Sequence, residues 1–172
     1  MNKLYCAVLT CLVTAFIICG CAGPGAGADK VPHGPAKDFS LKDLNNQTVT
    51  LANFKDKIVI INFWATWCPP CQKEIPDLIS LYKTYQGQGV VVVGIAIDEE
   101  GSKVVNPFVE EYKMNYPVLL GNEQVVSDYG GMAAVPTSFL MDKSGNIYKY
   151  YMGYHSIGDF QKDLDALLNS TR

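Results

Sequence analysis

Two unbroken apolar runs dominate the pattern of the chain. "KIVIINFWA" and "VVVVGIAI" (Val90 to Ile97) are rich in β-branched residues. Each suits a strand buried on both faces at the centre of a sheet. Between them, "PPCQKEIPDLISLYKTYQ" places Ile75, Leu78, Ile79 and Tyr82 at helical spacing. Its leading prolines fit a first helical turn, where no N–H is needed. Pro76 falls inside this helix and is expected to kink it. Upstream, "DFSLKDLNNQTVTL" holds two short runs around Asn45–Asn46 and reads as a β-hairpin.

Downstream, "SKVVNPFVEEYKM" reads as a helix disturbed at Pro107, "YPVLLG" as a short strand and "EQVVSDYG" as a short helix. "PTSFLMD" and "NIYKYYMGY" form a hairpin pattern turning at "KSGN". "SIGDFQKDLDALL" is an amphipathic last helix, with Ser156 as its cap and Asp159 three residues on. Alternating strands and helices, closed by a hairpin and a helix, give an α/β sandwich around a mixed sheet.

The first residues break from this pattern. Lys3 supplies a short positive end, and Leu4 to Cys19 carries no charge. That is an export signal, short for a membrane span and right for the apolar part of a signal peptide. It ends in "ICGC", which resembles the lipobox of bacterial lipoproteins, although Cys19 in its next-to-last place is unusual. Cleavage there would leave Cys21 as the acylated first residue. An ordinary signal peptide or an uncleaved anchor is the plainer alternative. All three place the domain outside the cytoplasm, and two of them on a membrane. "AGPGAGADKVPHGPA" then reads as a tether. The expected organisation is a signal segment over 1–21, a tether over 22–37 and one domain over 38–172.

Composition narrows the function. The 172 residues carry a formal net charge of −3. There is no basic block, and Arg172 is the single arginine, so a nucleic-acid surface is not expected. Of six cysteines, four lie in the first 21 residues, leaving Cys68 and Cys71 for the domain. A disulfide-stapled scaffold would spread its cysteines through the loops.

The remaining pair, in "WATWCPPCQKEIP", admits three readings. Zinc needs about four ligands, and the histidines are only His33, in the tether, and His155. Haem attachment needs a histidine after the second cysteine, where Gln72 stands. A copper carrier would need His155 as a third ligand, and nothing in its spacing argues for that. A structural disulfide would be a weak staple, because so short a loop removes little unfolded-state entropy. A redox centre fits better. Cys68 would cap a helix N-terminus, where the dipole and free N–H groups stabilise a thiolate. Cys71 would lie one turn deeper as the resolving thiol. Pro69 and Pro70 withhold two N–H donors from Cys68, which favours the thiol and the reducing direction.

"FWATWCPPC" and "YGGMAAVPTSFLMDKSGNI" together resemble the thioredoxin superfamily. The leading hairpin and the insertion between Asp98 and Gly121 resemble its extracytoplasmic TlpA/ResA-like branch. The likeness runs from about Asp38 to Leu168. It implies a three-layer sandwich with a mixed sheet, an N-terminal β-hairpin and a central insertion. It implies that Cys68 and Cys71 form one disulfide, with Cys68 the nucleophile and Cys71 the resolver. It implies that Pro136 is a cis-proline facing the pair, with the Val135 backbone turned to the client. An X–Pro bond alone would not suggest this, since most are trans.

One departure matters. Thioredoxin carries a buried aspartate where this chain has Asn62, and an amide cannot take a thiol proton. The TlpA/ResA-like branch carries a functional glutamate at the place of Glu74, which would supply the missing acid. The plainer reading of Glu74 is a first-turn residue favoured by the helix dipole. Trp64 is expected to pack inside and Trp67 to line the surface around Cys68. Tyr148, Tyr150, Tyr151 and Tyr154 are expected to cluster as strand packing.

The expected function is thus a tethered, extracytoplasmic thiol–disulfide oxidoreductase that reduces protein disulfides and needs no cofactor. By resemblance its client class is apocytochrome c, and a membrane thiol–disulfide transporter is its electron donor. A peroxiredoxin shares the fold, but needs a Thr or Ser at position 65 and an active-site arginine; the chain has Ala65 and only Arg172.

Overall fold

The computed structural model describes residues 34–131 and 133–170. The signal segment, Cys21 and the tether as far as His33 lie outside the described residues. Among the described residues, no helix is long and apolar enough to cross a membrane.

One eight-stranded sheet organises the chain. Its strands are β1 (Gly34–Pro35), β2 (Ser40–Asp43), β3 (Thr48–Thr50), β4 (Ile58–Trp64), β5 (Val90–Ala96), β6 (Val118–Leu120), β7 (Thr137–Met141) and β8 (Asn146–Met152). Across the sheet they run β1-β8-β7-β4-β5-β6-β2-β3. β4 is parallel to β5 and antiparallel to β7, so the sheet is mixed, as the sequence pattern implied. The helices are α1 (Pro69–Tyr85), α2 (Ser102–Tyr112), α3 (Glu123–Asp128) and α4 (Ile157–Ser170).

β4 is buried at every position, which explains its unbroken apolar run. Its side chains still alternate between faces. Ile58, Ile60 and Trp64 pack with Ile75, Leu78 and Leu81 of α1, Val105 of α2 and Phe160 and Leu164 of α4. Val59, Ile61 and Phe63 pack on the other face with Phe39, Leu41, Val125 and Tyr129. The result is three layers. Asn62 shares the parity of Ile60 and Trp64, so the central strand presents one amide to α1.

Two differences from the sequence reading have physical causes. Gly34–Pro35 pairs with Ile147 and Asn146, so the last residues assigned to the tether already belong to the sheet. A two-residue strand has no period to read. The four tyrosines do not cluster. Tyr150 packs against Phe139 on one face and Tyr151 against Phe160 on the other, while Tyr148 is exposed. Tyr154 leaves the strand altogether and meets α1. At the start of α4 the expected pairing of Ser156 with Asp159 is present, since Asp159 Oδ2 accepts from both the amide and the hydroxyl of Ser156.

α4 is fixed to β8 by a partly buried carboxylate. Asp163 accepts from Lys149 Nζ at 2.6 Å and from Tyr151 Oη at 2.7 Å. Burial opposes its ionisation, but these two hydrogen bonds and the charges of Lys149 and Lys162 together outweigh that, and its carboxyl is held below the ordinary value.

Candidate active site

The site forms where β4 ends and α1 begins. Ala65 to Trp67 turn the chain, and Cys68 is the N-cap of α1. Proline occupies the next two positions, so the first helical N–H that can reach Cys68 is that of Cys71, which donates to Cys68 Sγ at 3.2 Å. The N-cap expectation thus holds with one donor where a typical helix start offers more. Cys68 and Cys71 are joined as a disulfide, with S–S 2.12 Å and Cα–Cα 5.3 Å. Both are nearly buried. Cys68 nevertheless borders an open groove of about 440 Å³, lined by Trp67, Pro69, Pro70, Ile97, Ala134 and Val135, and Cys71 does not.

Across that groove, the Val135–Pro136 peptide is cis. The Val135 carbonyl oxygen lies 3.5 Å from Cys68 Sγ. Two segments far apart in sequence therefore meet at Cys68 Sγ. Trp67 is 62% exposed, whereas Trp64 is fully buried against Phe108.

Glu74 is not a first-turn residue on the surface. It sits in the second turn of α1, on the buried stripe with Cys71, Ile75 and Leu78, and is 1% exposed. Its Oε2 accepts from Asn62 Nδ2 at 2.9 Å, and its Oε1 accepts from the His155 amide at 3.0 Å. The same Asn62 amide donates to Ser138 Oγ at 2.9 Å. Burial pushes the Glu74 carboxyl up from 4.5 to about 7; the two hydrogen bonds pull it down, and the Asp77 charge adds to the rise. The carboxyl thus lies within reach of either protonation state at neutral pH.

Residues that the sequence did not single out brace the loop before Cys68. Asp98, at the end of β5, accepts the Thr66 amide on both carboxylate oxygens at 3.1 Å and the Thr66 hydroxyl on Oδ1. Gln72 Nε2 in turn donates to the Thr66 carbonyl at 2.7 Å. The ladder continues the tie, since the Ile97 amide donates to the Trp64 carbonyl at 2.9 Å. An aspartate that ends a buried strand beside the active-site strand was the available signal.

His155 brings its backbone to Glu74, while its ring faces Tyr151 and Asp159. Among the described residues, no group of three His, Cys, Asp or Glu side chains is placed to hold a metal ion.

This geometry has known counterparts. The model of the AhpC/TSA family matches residues 32–150. The thiol–disulfide oxidoreductase ResA of Bacillus subtilis (strain 168) is 36% identical over 129 residues, which cover 74% of this chain and 72% of that one. The chain belongs to the AhpC/TSA family and, within it, to the ResA-type thiol–disulfide oxidoreductases. Solved structures agree. A thiol:disulfide interchange protein of the thioredoxin family from Chlorobium tepidum TLS superposes with a TM-score of 0.73 at 34% identity, covering 82% of this chain and 99% of that chain. StoA from Bacillus subtilis gives 0.64 at 29% identity, covering 76% and 98%. The chain is therefore a thiol–disulfide oxidoreductase with a thioredoxin-like fold, and it carries Cys68 and Cys71 as a disulfide where β4 gives way to α1.

Proposed function

We propose that this ResA-type enzyme is a membrane-tethered, extracytoplasmic reductase of protein disulfides, with the CxxCH pairs of apocytochrome c as its client class. The observation that carries the reductase reading is the burial of Glu74 one turn beyond Cys71, on the same helix face. A buried carboxyl poised near neutrality can take the proton that the resolving thiol must lose before it attacks.

The steps balance as follows. The Cys68 thiolate attacks one sulfur of the client disulfide. That bond breaks, the mixed disulfide forms, and the other client sulfur leaves as a thiolate. Cys71 passes its proton towards Glu74 and attacks Cys68 Sγ. The mixed disulfide breaks, the Cys68–Cys71 bond forms, and the second client thiolate leaves. Two electrons pass from the pair to the client. A membrane thiol–disulfide transporter then returns two electrons to the pair. Trp67, Val135 and Pro136 border the path by which the client reaches Cys68. Tethering rests on the uncharged run before Cys21, and the client class on the ResA-type resemblance. Ala65 speaks against peroxide chemistry, because the hydroxyl that a peroxidatic cysteine requires there is missing.

Cys71→Ser tests the reading in a bacterial host. The variant should accumulate mixed disulfides through Cys68 that reductant releases, and the Cys68→Ser, Cys71→Ser double variant should accumulate none. Trapped apocytochrome chains support the client class. Trapping only envelope proteins without haem motifs rejects that class, and a normally folded variant that traps nothing rejects the protein-disulfide reading. Loss of membrane retention in Cys21→Ser would support acylation at that cysteine.

A further inference from the structure

The loop between β8 and α4, residues 153–156, has no counterpart in the chemistry described so far. It lies as a strap between the two halves of the site. At one end, the Gly153 amide donates to the Pro136 carbonyl at 2.8 Å, and Gly153 has φ 80°, a left-handed turn that favours glycine. Next, Tyr154 lies along α1. Lys73 Nζ stands 4.1 Å from its ring centroid, and its hydroxyl donates to Asp77 Oδ2 at 3.3 Å. Lys73 and Asp77 are one helical turn apart, so the tyrosine spans the helix beside Glu74. The following residue, His155, supplies the amide that Glu74 Oε1 accepts. Beyond it, His155 Nδ1 is 3.8 Å from Asp159 Oδ2, which also holds Ser156.

We infer that Tyr154 is a positioning residue for Glu74: its docking on Lys73 and Asp77 holds the 153–156 strap closed over that carboxyl and excludes water from it. The inference deepens the proposed function, since it rests on Glu74 serving the Cys71 proton. Every other face of Glu74 is supplied by the fold itself. Asn62 approaches from β4, with Ser138 of β7 behind it. The hydroxyl of Tyr116, just ahead of β6, is buried and close enough to feel the Glu74 charge. Asp77 is the like charge on the same helix, and Lys73 is engaged by Tyr154. The strap closes Glu74 with a half-buried loop, whereas Tyr116 on its other side is fully enclosed in the core. Over α1 the strap is held by the Tyr154 side chain, which is half-buried, and a loop anchored there opens at lower cost than a core strand or helix. When it opens, water replaces the His155 amide and solvates the carboxylate, so the Glu74 pKa must fall towards its ordinary value.

The test is a carbon NMR titration of the Glu74 carboxyl in the full-length oxidised protein, assigned with Glu74→Gln. The wild type should titrate at about 7. Tyr154→Ala should bring the value below about 6, and Tyr154→Phe, which keeps the ring over Lys73, should hold it near the wild-type value. Tyr154 is half-buried at the surface, so the fold should survive both changes. A Tyr154→Ala protein whose Glu74 still titrates near the wild-type value overturns the inference. The pH dependence of mixed-disulfide resolution, measured on the same variants, separates the two ideas. If the carboxyl titration moves and the resolution profile does not, the strap stands and the role of Glu74 as proton acceptor fails.

Discussion

Asn62 reaches across from the central strand and donates to Glu74 at 2.9 Å, so the one polar position of β4 and the one acidic position on the buried stripe of α1 are satisfied by each other. The amide cannot relieve the carboxyl of its burial. It supplies a hydrogen bond but no opposite charge, and the desolvation cost of the ionised form remains.

The first prediction follows from that balance. The folded Glu74 carboxyl binds its proton more tightly than the unfolded chain does, about 7 against 4.5. Its contribution to stability is therefore complete below about pH 4.5 and is lost as pH rises through 7, by at most about 3 kcal/mol. Asp163 has the opposite sign, since its depressed carboxyl costs stability only as pH falls below its unfolded value of 3.8. The two windows do not overlap. Glu74→Gln should flatten the slope between pH 5 and 8 on urea denaturation of the oxidised protein. It should also lose about 1–3 kcal/mol at pH 5, because the Gln NH2 group, unlike the hydroxyl oxygen of a protonated carboxyl, cannot accept, so one of the Asn62 and His155 donors is left unpaired. A wild type equally stable at pH 5 and pH 8 would contradict the burial argument.

The second prediction concerns Asp98. Its carboxylate holds the Thr66 amide and hydroxyl, two residues before the nucleophile. Asp98→Ala should cost about 1–3 kcal/mol and slow the attack of Cys68 on any disulfide, large or small. Asp98→Asn keeps one acceptor and should recover most of both. Denaturation and the rate with a small aromatic disulfide check the two effects. A destabilised Asp98→Ala enzyme with an unchanged rate would make the contact structural only.

These residues also mark the limit of what the sequence carried. The strands β4 and β5 were legible because a strand buried on both faces is apolar at nearly every position. The place of the Cys68–Cys71 pair was legible because these are the only cysteines in residues 38–172 and stand between a strand pattern and a helix pattern. The bonds from Thr66 to Asp98, Tyr154 to Asp77 and His155 to Glu74 span 32, 77 and 81 positions. No local period encodes such approaches; they exist only once the sheet order is known. The expected cluster of tyrosines failed for a local reason: strand alternation sends neighbours in sequence to opposite faces.

The last prediction concerns client entry. Trp67 is 62% exposed beside Cys68, which is only 3% exposed. An indole in water contributes little to the fold, so Trp67→Ala should change stability by no more than about 0.5 kcal/mol. In a complex the same ring would be covered, and an aromatic anchor at the centre of an interface is commonly worth about 1–3 kcal/mol. The cost should therefore appear in binding. With insulin as the protein disulfide, kcat/KM should fall about tenfold, mainly through KM. With a small disulfide that enters the groove without covering the ring, the rate should stay within about twofold. The split matters because Trp67 directly precedes Cys68. A ring that acted on the sulfur would slow both substrates alike, whereas one that acts on the client slows only the large one. Parallel losses would move Trp67 from client binding to the support of the nucleophile, and unchanged kinetics with insulin would place the client on another face of the groove.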